Sequence, residues 1–193
     1  MRQQIFLFCW VIFLLYWLIS AGSVKATQET RGWFGGNWYT ILLGIGFLCI
    51  GDFKFLARLG IPVRLLAIPL TPVSGISKAV SAILLVAGLL VAILARRTLA
   101  AHWSAAVALK KDHQLITIGL YRYVRHPIYT GILVMVLGTV LSFGTLGAWF
   151  GFFVILLALL LKLTQEEALL SEHFSQEYLA YKSHTKPLIP FIW

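Results

Sequence analysis

Apolar side chains gather in five blocks along the chain: Ile5 to Ile19, Trp38 to Leu56, Ser77 to Ala95, Pro127 to Phe143 and Leu146 to Leu161. Each block holds 15–19 residues, close to the roughly 17–25 that an α-helix needs to cross a hydrocarbon layer of about 30 Å. Pro62, Pro69 and Pro72, with Arg58 and Arg64, make residues 57–75 a loop with room for one interfacial helix, because proline removes a helical hydrogen bond and clashes with the preceding turn. Only Gly144-Thr145 divides the last two blocks, so the chain must turn straight back there. The pattern predicts an all-α integral membrane protein of about five transmembrane helices, with helices four and five as a tight hairpin. Gly131 and Gly138 on helix four, and Gly147 and Gly151 on helix five, fit close helix approach and equally fit glycine's general abundance in membrane helices. A cytoplasmic C-terminal helix is expected in the tail, where Glu167, Leu170, Phe174, Tyr178 and Tyr181 recur at spacings of three and four.

The first block is short, starts after Arg2 and ends in Ser20-Ala21-Gly22-Ser23. That layout also fits a cleavable signal peptide; a first transmembrane helix is the favoured reading.

Composition removes other classes. Of 193 residues, 60% are hydrophobic and 12% charged, and the mean hydropathy is +0.86. Soluble domains carry about 25% charged residues, so a soluble globular enzyme is excluded, and a disordered chain would need low hydrophobicity. The net charge of +9 then points to basic cytoplasmic loops and anionic lipid rather than to nucleic acid. With five spans, residues 20–37, 96–126 and 162–193 share one side and hold eleven of the 16 Lys and Arg residues, which makes that side cytoplasmic. Arg96 and Arg97 read as anchors at the end of the third span, and Lys182 as part of a solvated tail. Cys9 and Cys49 both lie in apolar blocks and read as packing residues rather than a disulfide.

Candidate chemistry sits where composition does not demand polar residues: residues 110–131, and the tail from Lys162. They flank the predicted hairpin, so folding brings them together on the cytoplasmic side. Pro127 opens helix four at a position where its missing N–H costs nothing, and the helix start beside Arg125 and His126 favours an anion. Ordinary interfacial anchoring accounts for Arg125 and His126 as readily. Glu166 and Glu167 either face the protein on the apolar stripe, where a carboxylate needs a partner, or simply end the span. The five histidines show no metal-ligand spacing, and there is no phosphate-binding glycine loop.

These residues have a family likeness. His113-Gln-Leu-Ile-Thr-Ile-Gly119-Leu-Tyr121, Arg125-His126-Pro127-Ile-Tyr129-Thr-Gly131, Glu166-Glu167, Phe174, Tyr178, Tyr181 and Pro190 resemble the isoprenylcysteine carboxyl methyltransferase family, and the wider phospholipid methyltransferase group shares the Arg-His-Pro and Glu elements. The resemblance covers about residues 96–193. It implies a membrane enzyme with two parts: residues 1–95 as N-terminal transmembrane helices one to three, and residues 96–193 as the catalytic half. The implied cofactor is S-adenosyl-L-methionine, at positions matching His113, Gln114, Leu115, Ile116, Gly119, Tyr121, His126, Pro127, Ile128, Tyr129 and Glu167. Arg125, Glu166 and Glu167 match the catalytic positions, Lys162 and Glu166 the substrate-binding ones, and no metal is implied. The family usually has Arg where this chain has Lys162, which keeps the charge but loses the bidentate fork.

The expected reaction is carboxyl methylation of an isoprenylcysteine-type lipidic substrate that enters from the bilayer, in the plasma membrane of a prokaryote or the endoplasmic reticulum, with the active site facing the cytoplasm. The expected partners are that substrate and membrane lipids, with no nucleic acid and no metal. The alternatives are a phospholipid amine N-methyltransferase, a nicotinamide-dependent membrane reductase and a non-enzymatic helical scaffold or small transporter. Polar groups clustered outside the spans argue against transport.

Overall fold

The computed structural model describes residues 2–22, 27–30, 38–51, 57, 60, 63–103, 107–110 and 114–192. Among them are five α-helices: α1 (Arg2–Ala21), α2 (Trp38–Ile50), α3 (Gly75–Leu99), α4 (Pro127–Phe143) and α5 (Leu146–His184). Each of the five apolar blocks holds one of these helices, the second over Trp38–Ile50, since residues 52–56 lie outside the described residues. Two, Gly75–Leu99 and Leu146–His184, are long and apolar enough to cross a membrane, and the other three are shorter apolar helices. Their outward faces carry exposed Phe8, Leu18, Ile41, Ile83, Phe150 and Phe153, an apolar surface foreign to water-soluble monomers. The all-α expectation needs one amendment. A short antiparallel ribbon pairs β1 (Thr27–Thr30) with β2 (Ala108–Lys110), and so joins the loop after α1 to the loop after α3.

Sequence chemistry explains the helix boundaries. Ser74 and Ser77 form a reciprocal capping box at the start of α3, with Ser77 N–H donating to Ser74 Oγ at 3.2 Å and Ser74 N–H to Ser77 Oγ at 2.9 Å. α4 ends at Gly144, whose φ of +67° is left-handed, a conformation glycine adopts without steric cost. Thr145 then caps α5. No Gly or Pro lies between Lys162 and His184, and the helix runs on past the apolar block to a kink at Ser175 (φ 44°, ψ −111°), beyond which the C-terminal stretch continues helical to His184.

The two-residue connection is as short as expected, yet its helices pack chiefly against other partners: α4 on α3, and α5 on α2. The glycines decide this. A Cβ on Gly131 would sit 2.7 Å from the Ala92 nitrogen and the Gly88 carbonyl, and one on Gly138 would sit 2.9 Å from the Ser81 carbonyl. Ser81 Oγ donates across the same seam to the Gly138 carbonyl at 2.6 Å. On α5, Gly151 lies directly against Gly46 of α2. Such small-residue seams let backbones approach where no hydrophobic driving force operates. α1 joins through Cys9 and Phe13, which pack with Leu85, Leu89 and Met135, and through Trp10 Nε1–H, which donates to Thr139 Oγ1 at 3.1 Å.

Arg96 is not the surface anchor its position implied. It is 1% exposed, donates to the carbonyls of Ser20 at 2.8 Å and Ala100 at 2.6 Å, and lies 4.7 Å from the Trp103 ring centroid. It thus ties the C-terminal end of α1 to that of α3.

At one end of the bundle, loop 66–71 binds the α4–α5 turn, with Leu70 N–H donating to Gly144 O at 2.7 Å and Gly147 N–H to Leu66 O at 2.9 Å. At the other end, residues 114–126 meet the C-terminal tail.

Candidate active site

Pro127 at the first position of α4 leaves His126 as its N-cap, but the histidine side chain does not cap the helix. The tail fixes the backbone instead. Arg125 N–H donates to Lys186 O at 2.8 Å and His126 N–H to Pro187 O at 3.0 Å, while Thr130 Oγ1 donates to Leu188 O at 2.8 Å. With their amides held, Arg125 and His126 turn their side chains toward α5. Arg125 Nε donates to Glu167 Oε1 at 2.6 Å and its Nη1 to Thr185 O at 2.5 Å. The His126 ring stacks on Tyr129 (centroids 5.3 Å apart, planes at 5°). Its Nδ1 lies 3.5 Å from Glu166 Oε2 and its Nε2 lies 3.5 Å from Glu167 Oε1. Both are charge contacts too long to be good hydrogen bonds, and buried Nε2 has no hydrogen-bond partner.

The α5 side of the site follows from helical spacing. Glu166 lies one turn after Lys162 and Glu167 directly follows it, so Lys162 Nζ reaches Glu166 Oε1 at 3.7 Å. The same ammonium lies 5.3 Å from the Tyr39 ring of α2 and 5.4 Å from the Tyr129 ring of α4, within range for cation–π attraction. Tyr129 O–H donates to Glu166 Oε1 at 2.6 Å. Beyond the break at Ser175, Lys182 returns to Glu167 Oε2 at 2.9 Å, and Tyr181 O–H donates to the Tyr121 carbonyl at 2.6 Å. Tyr178 is buried with no partner for its hydroxyl.

The carboxylates lie past the apolar stretch of α5, and their surroundings fix their charge. Burial alone would raise both. For Glu166, Lys162, His126 and the Tyr129 hydroxyl reverse that, so it ionises below the usual range. For Glu167, His126, Arg125 and Lys182 draw its pKa down to about 2. Burial pushes the His126 imidazole down, but its close contacts with the two glutamate carboxylates outweigh it and hold the group above its ordinary value. Three cationic side chains, Arg125, Lys162 and Lys182, therefore face two carboxylates. One positive charge is in surplus, and two when His126 is protonated. The buried Arg125 and Lys162 balance the two carboxylates, and the surplus lies on Lys182, whose side chain is 38% exposed; such perturbed clusters concentrate at functional sites.

Among the residues expected from sequence, Arg125, His126, Tyr129, Lys162, Glu166 and Glu167 come together. Pro127, Ile128 and Tyr121 are buried beside them. Ile116 packs on the core cluster that contains Tyr121 and Tyr129, and Leu115 is half-buried while Gln114 is exposed. Gly119 (φ +62°) lies against Thr98 of α3. His113 falls outside the described residues. Tyr39, Lys182 and the 185–188 strap were not expected. Tyr39 is the lone tyrosine of its apolar block, a signal that was available. Lys182 was placed in solvent; the break at Ser175 returns it to Glu167.

Comparison with known proteins bears on this arrangement. The sequence model of the isoprenylcysteine carboxyl methyltransferase (ICMT) family matches residues 80–172, which contain every one of those expected residues. The chain resembles the isoprenylcysteine carboxyl methyltransferases. It is 37% identical over 83 residues to the protein-S-isoprenylcysteine O-methyltransferase of Schizosaccharomyces pombe, a match over 42% of this chain and 35% of that protein. For the Saccharomyces cerevisiae protein of the same name the figures are 36% over 104 residues, 50% of this chain and 44% of that one. The chain thus spans less than half the length of these relatives. Its structure is similar to that of the eukaryotic intramembrane Ras methyltransferase ICMT solved without a monobody, with a TM-score of 0.52 at 26% identity, over 80% of this chain and 53% of that one. Tyr39, Tyr178, Tyr181, Lys182 and the strap all lie outside the segment that the family model matches.

Proposed function

We propose that this chain is an S-adenosylmethionine-dependent methyltransferase that esterifies the C-terminal carboxylate of an isoprenylcysteine-type lipid at the cytoplasmic face of a membrane. In this reading all five helices cross the bilayer, and residues 96–193 carry the chemistry. The observation that carries it is the cluster in which the cations Arg125, Lys162 and Lys182 outnumber the carboxylates Glu166 and Glu167 among the described residues. It suits an anionic acceptor and opposes an ammonium, so it disfavours the phospholipid-amine alternative.

The residues fit the cofactor. Its α-amino group and ribose hydroxyls need acceptors, which Glu166 and Glu167 supply, and its carboxylate needs donors. Two buried donors here lack partners, His126 Nε2 and the Tyr178 hydroxyl. When bound, S-adenosylmethionine supplies an electrophilic methyl group on a sulfonium. The protein's part is to bind, orient and keep water out. A carboxylate with a pKa near 3.3–3.7 is already ionised at neutral pH, so no general base is required. Lys162 attracts it as a point charge that is also shared with Glu166 and two tyrosine faces, where an arginine fork would pair with it more fully. The lipid tail enters sideways from the bilayer.

The test is methyl transfer by the purified full chain from labelled S-adenosylmethionine to N-acetyl-S-farnesylcysteine. The expected product releases its methyl as methanol in mild base, and the rate of the transfer step is nearly flat between about pH 6 and 8 because the acceptor stays ionised. Lys162→Arg is expected to hold or raise turnover, and Lys162→Glu to abolish it while cofactor binding persists. No ester from this acceptor, with a base-stable methyl on the nitrogen of phosphatidylethanolamine offered beside it, would overturn the reading.

A further inference from the structure

Outside the charged cluster, an open groove of about 780 Å³ lies between the last turns of α3 and the 119–123 turn. Arg97 and Arg122 line it with Leu94, Leu120 and Tyr123, and none of its lining residues is acidic. The Arg122 guanidinium lies 5.1 Å from the Tyr123 ring, and Arg97 is exposed. The approach to the groove is apolar. Ile83, Val86, Leu90 and Leu94 are all exposed on α3, at spacings of three, four and four that put them on one helix face. Arg97, three residues further on, ends that stripe just where the apolar helix ends. An acyl chain lying along the stripe would bring its phosphate between the two guanidiniums, whose planar donors match phosphate oxygens.

We infer that this groove is a binding site for the phosphate headgroup of an anionic phospholipid of the surrounding bilayer. A zwitterionic lipid also offers a phosphate, but its ammonium meets no carboxylate here. The headgroup would rest on the turn whose Tyr121 carbonyl accepts from Tyr181, and so would brace one wall of the charged cluster. The inference needs the chain to lie in a bilayer and does not depend on the reaction proposed above.

The experiment uses the full chain in nanodiscs of phosphatidylcholine with a minority of phosphatidylglycerol, and reads by native mass spectrometry which lipids leave the bilayer with the protein. Phosphatidylglycerol is expected to be enriched over its bulk fraction. Arg97→Gln with Arg122→Gln is expected to lower that enrichment by at least about fivefold, the effect of one arginine at an anionic surface. Lys110→Gln with Lys186→Gln removes the same charge and is expected to leave it within about twofold. Circular-dichroism melting confirms that both variants are folded. Three results overturn the site: unchanged enrichment in the arginine variant, an equal loss in the lysine variant, which assigns the effect to net charge, or displacement of the lipid by excess inorganic phosphate, which assigns the groove to a free anion.

Discussion

Lys182 shows how a residue's place in the chain can mislead about its place in the site. On a polar tail it reads as solvated, yet its ammonium sits 2.9 Å from Glu167 and its side chain is 38% exposed. Lys182→Ala is accordingly expected to weaken S-adenosylmethionine binding, as are His126→Ala and Glu167→Gln. The latter two should cost more than about 1.4 kcal/mol, tenfold in affinity. Glu177→Gln, on an exposed residue, should leave calorimetric binding unchanged. Unchanged binding in both the His126 and Glu167 variants would move the pocket elsewhere. His126 also sets a pH signature. Its folded-state pKa is raised, so its stabilising contribution is complete below about 6.5, the unfolded value, and is lost as pH rises through the folded value. Glu167, lowered to about 2, contributes above about 4.3 and loses that contribution as pH falls toward 2. Thermal stability in detergent should therefore fall on either side of a plateau between about pH 4.3 and 6.5, and His126→Asn should flatten the alkaline limb. The residues on either side of Pro127 and the paired glutamates were legible because they are polar against an apolar background. Tyr39 and Lys182 were not read as site residues, because their roles depend on which helix faces which.

At the scale of elements, the apolar blocks located all five helices, and the α4 limits agree at both ends. Partner choice was less accessible. Gly131, Gly138 and Gly151 were visible as close-approach positions, but the helices they approach were not. The seams join α4 to α3 and α5 to α2, because the matching small residues, Gly88, Ala92, Ser81 and Gly46, lie on those helices. A Cβ at Gly88 would come within 2.6 Å of the Gly131 carbonyl and 2.7 Å of the Met135 nitrogen. Both are backbone atoms that cannot rotate away, so Gly88→Ala must part the helices and is expected to cost about 1–3 kcal/mol, as overpacking does. Gly44 has nothing within 4 Å, and Gly44→Ala should be neutral or stabilise by up to about 1 kcal/mol. Melting curves of the two variants in one detergent decide this, and equal melting temperatures would remove the seam as a determinant of packing.

At the scale of the whole molecule, the two ends of the bundle differ in kind. One end is closed by backbone hydrogen bonds between loop 66–71 and the α4–α5 turn; the other gathers the ribbon, the 119–126 turn, the charged cluster and the strap. The proposed orientation, taken from the charge count, puts the second end in the cytoplasm. In a variant lacking Cys9 and Cys49, Ser183→Cys should then react with a membrane-impermeant thiol reagent only from the cytoplasmic side, and Arg64→Cys only from the other. Labelling of both from one side would dismiss the five-span topology. The ribbon was beyond sequence reasoning, since Thr27–Thr30 and Ala108–Lys110 are short and far apart in the chain.

The strap has a practical consequence for anyone who trims or fuses the chain. Residues 185–188 follow the last helix and look like a dispensable end. They accept hydrogen bonds from the Arg125 and His126 amides, the Arg125 guanidinium and the Thr130 hydroxyl. A stop codon placed at the helix end would strip four donors of their acceptors at once, whereas a reporter or purification handle attached after Leu188 would leave those acceptors in place.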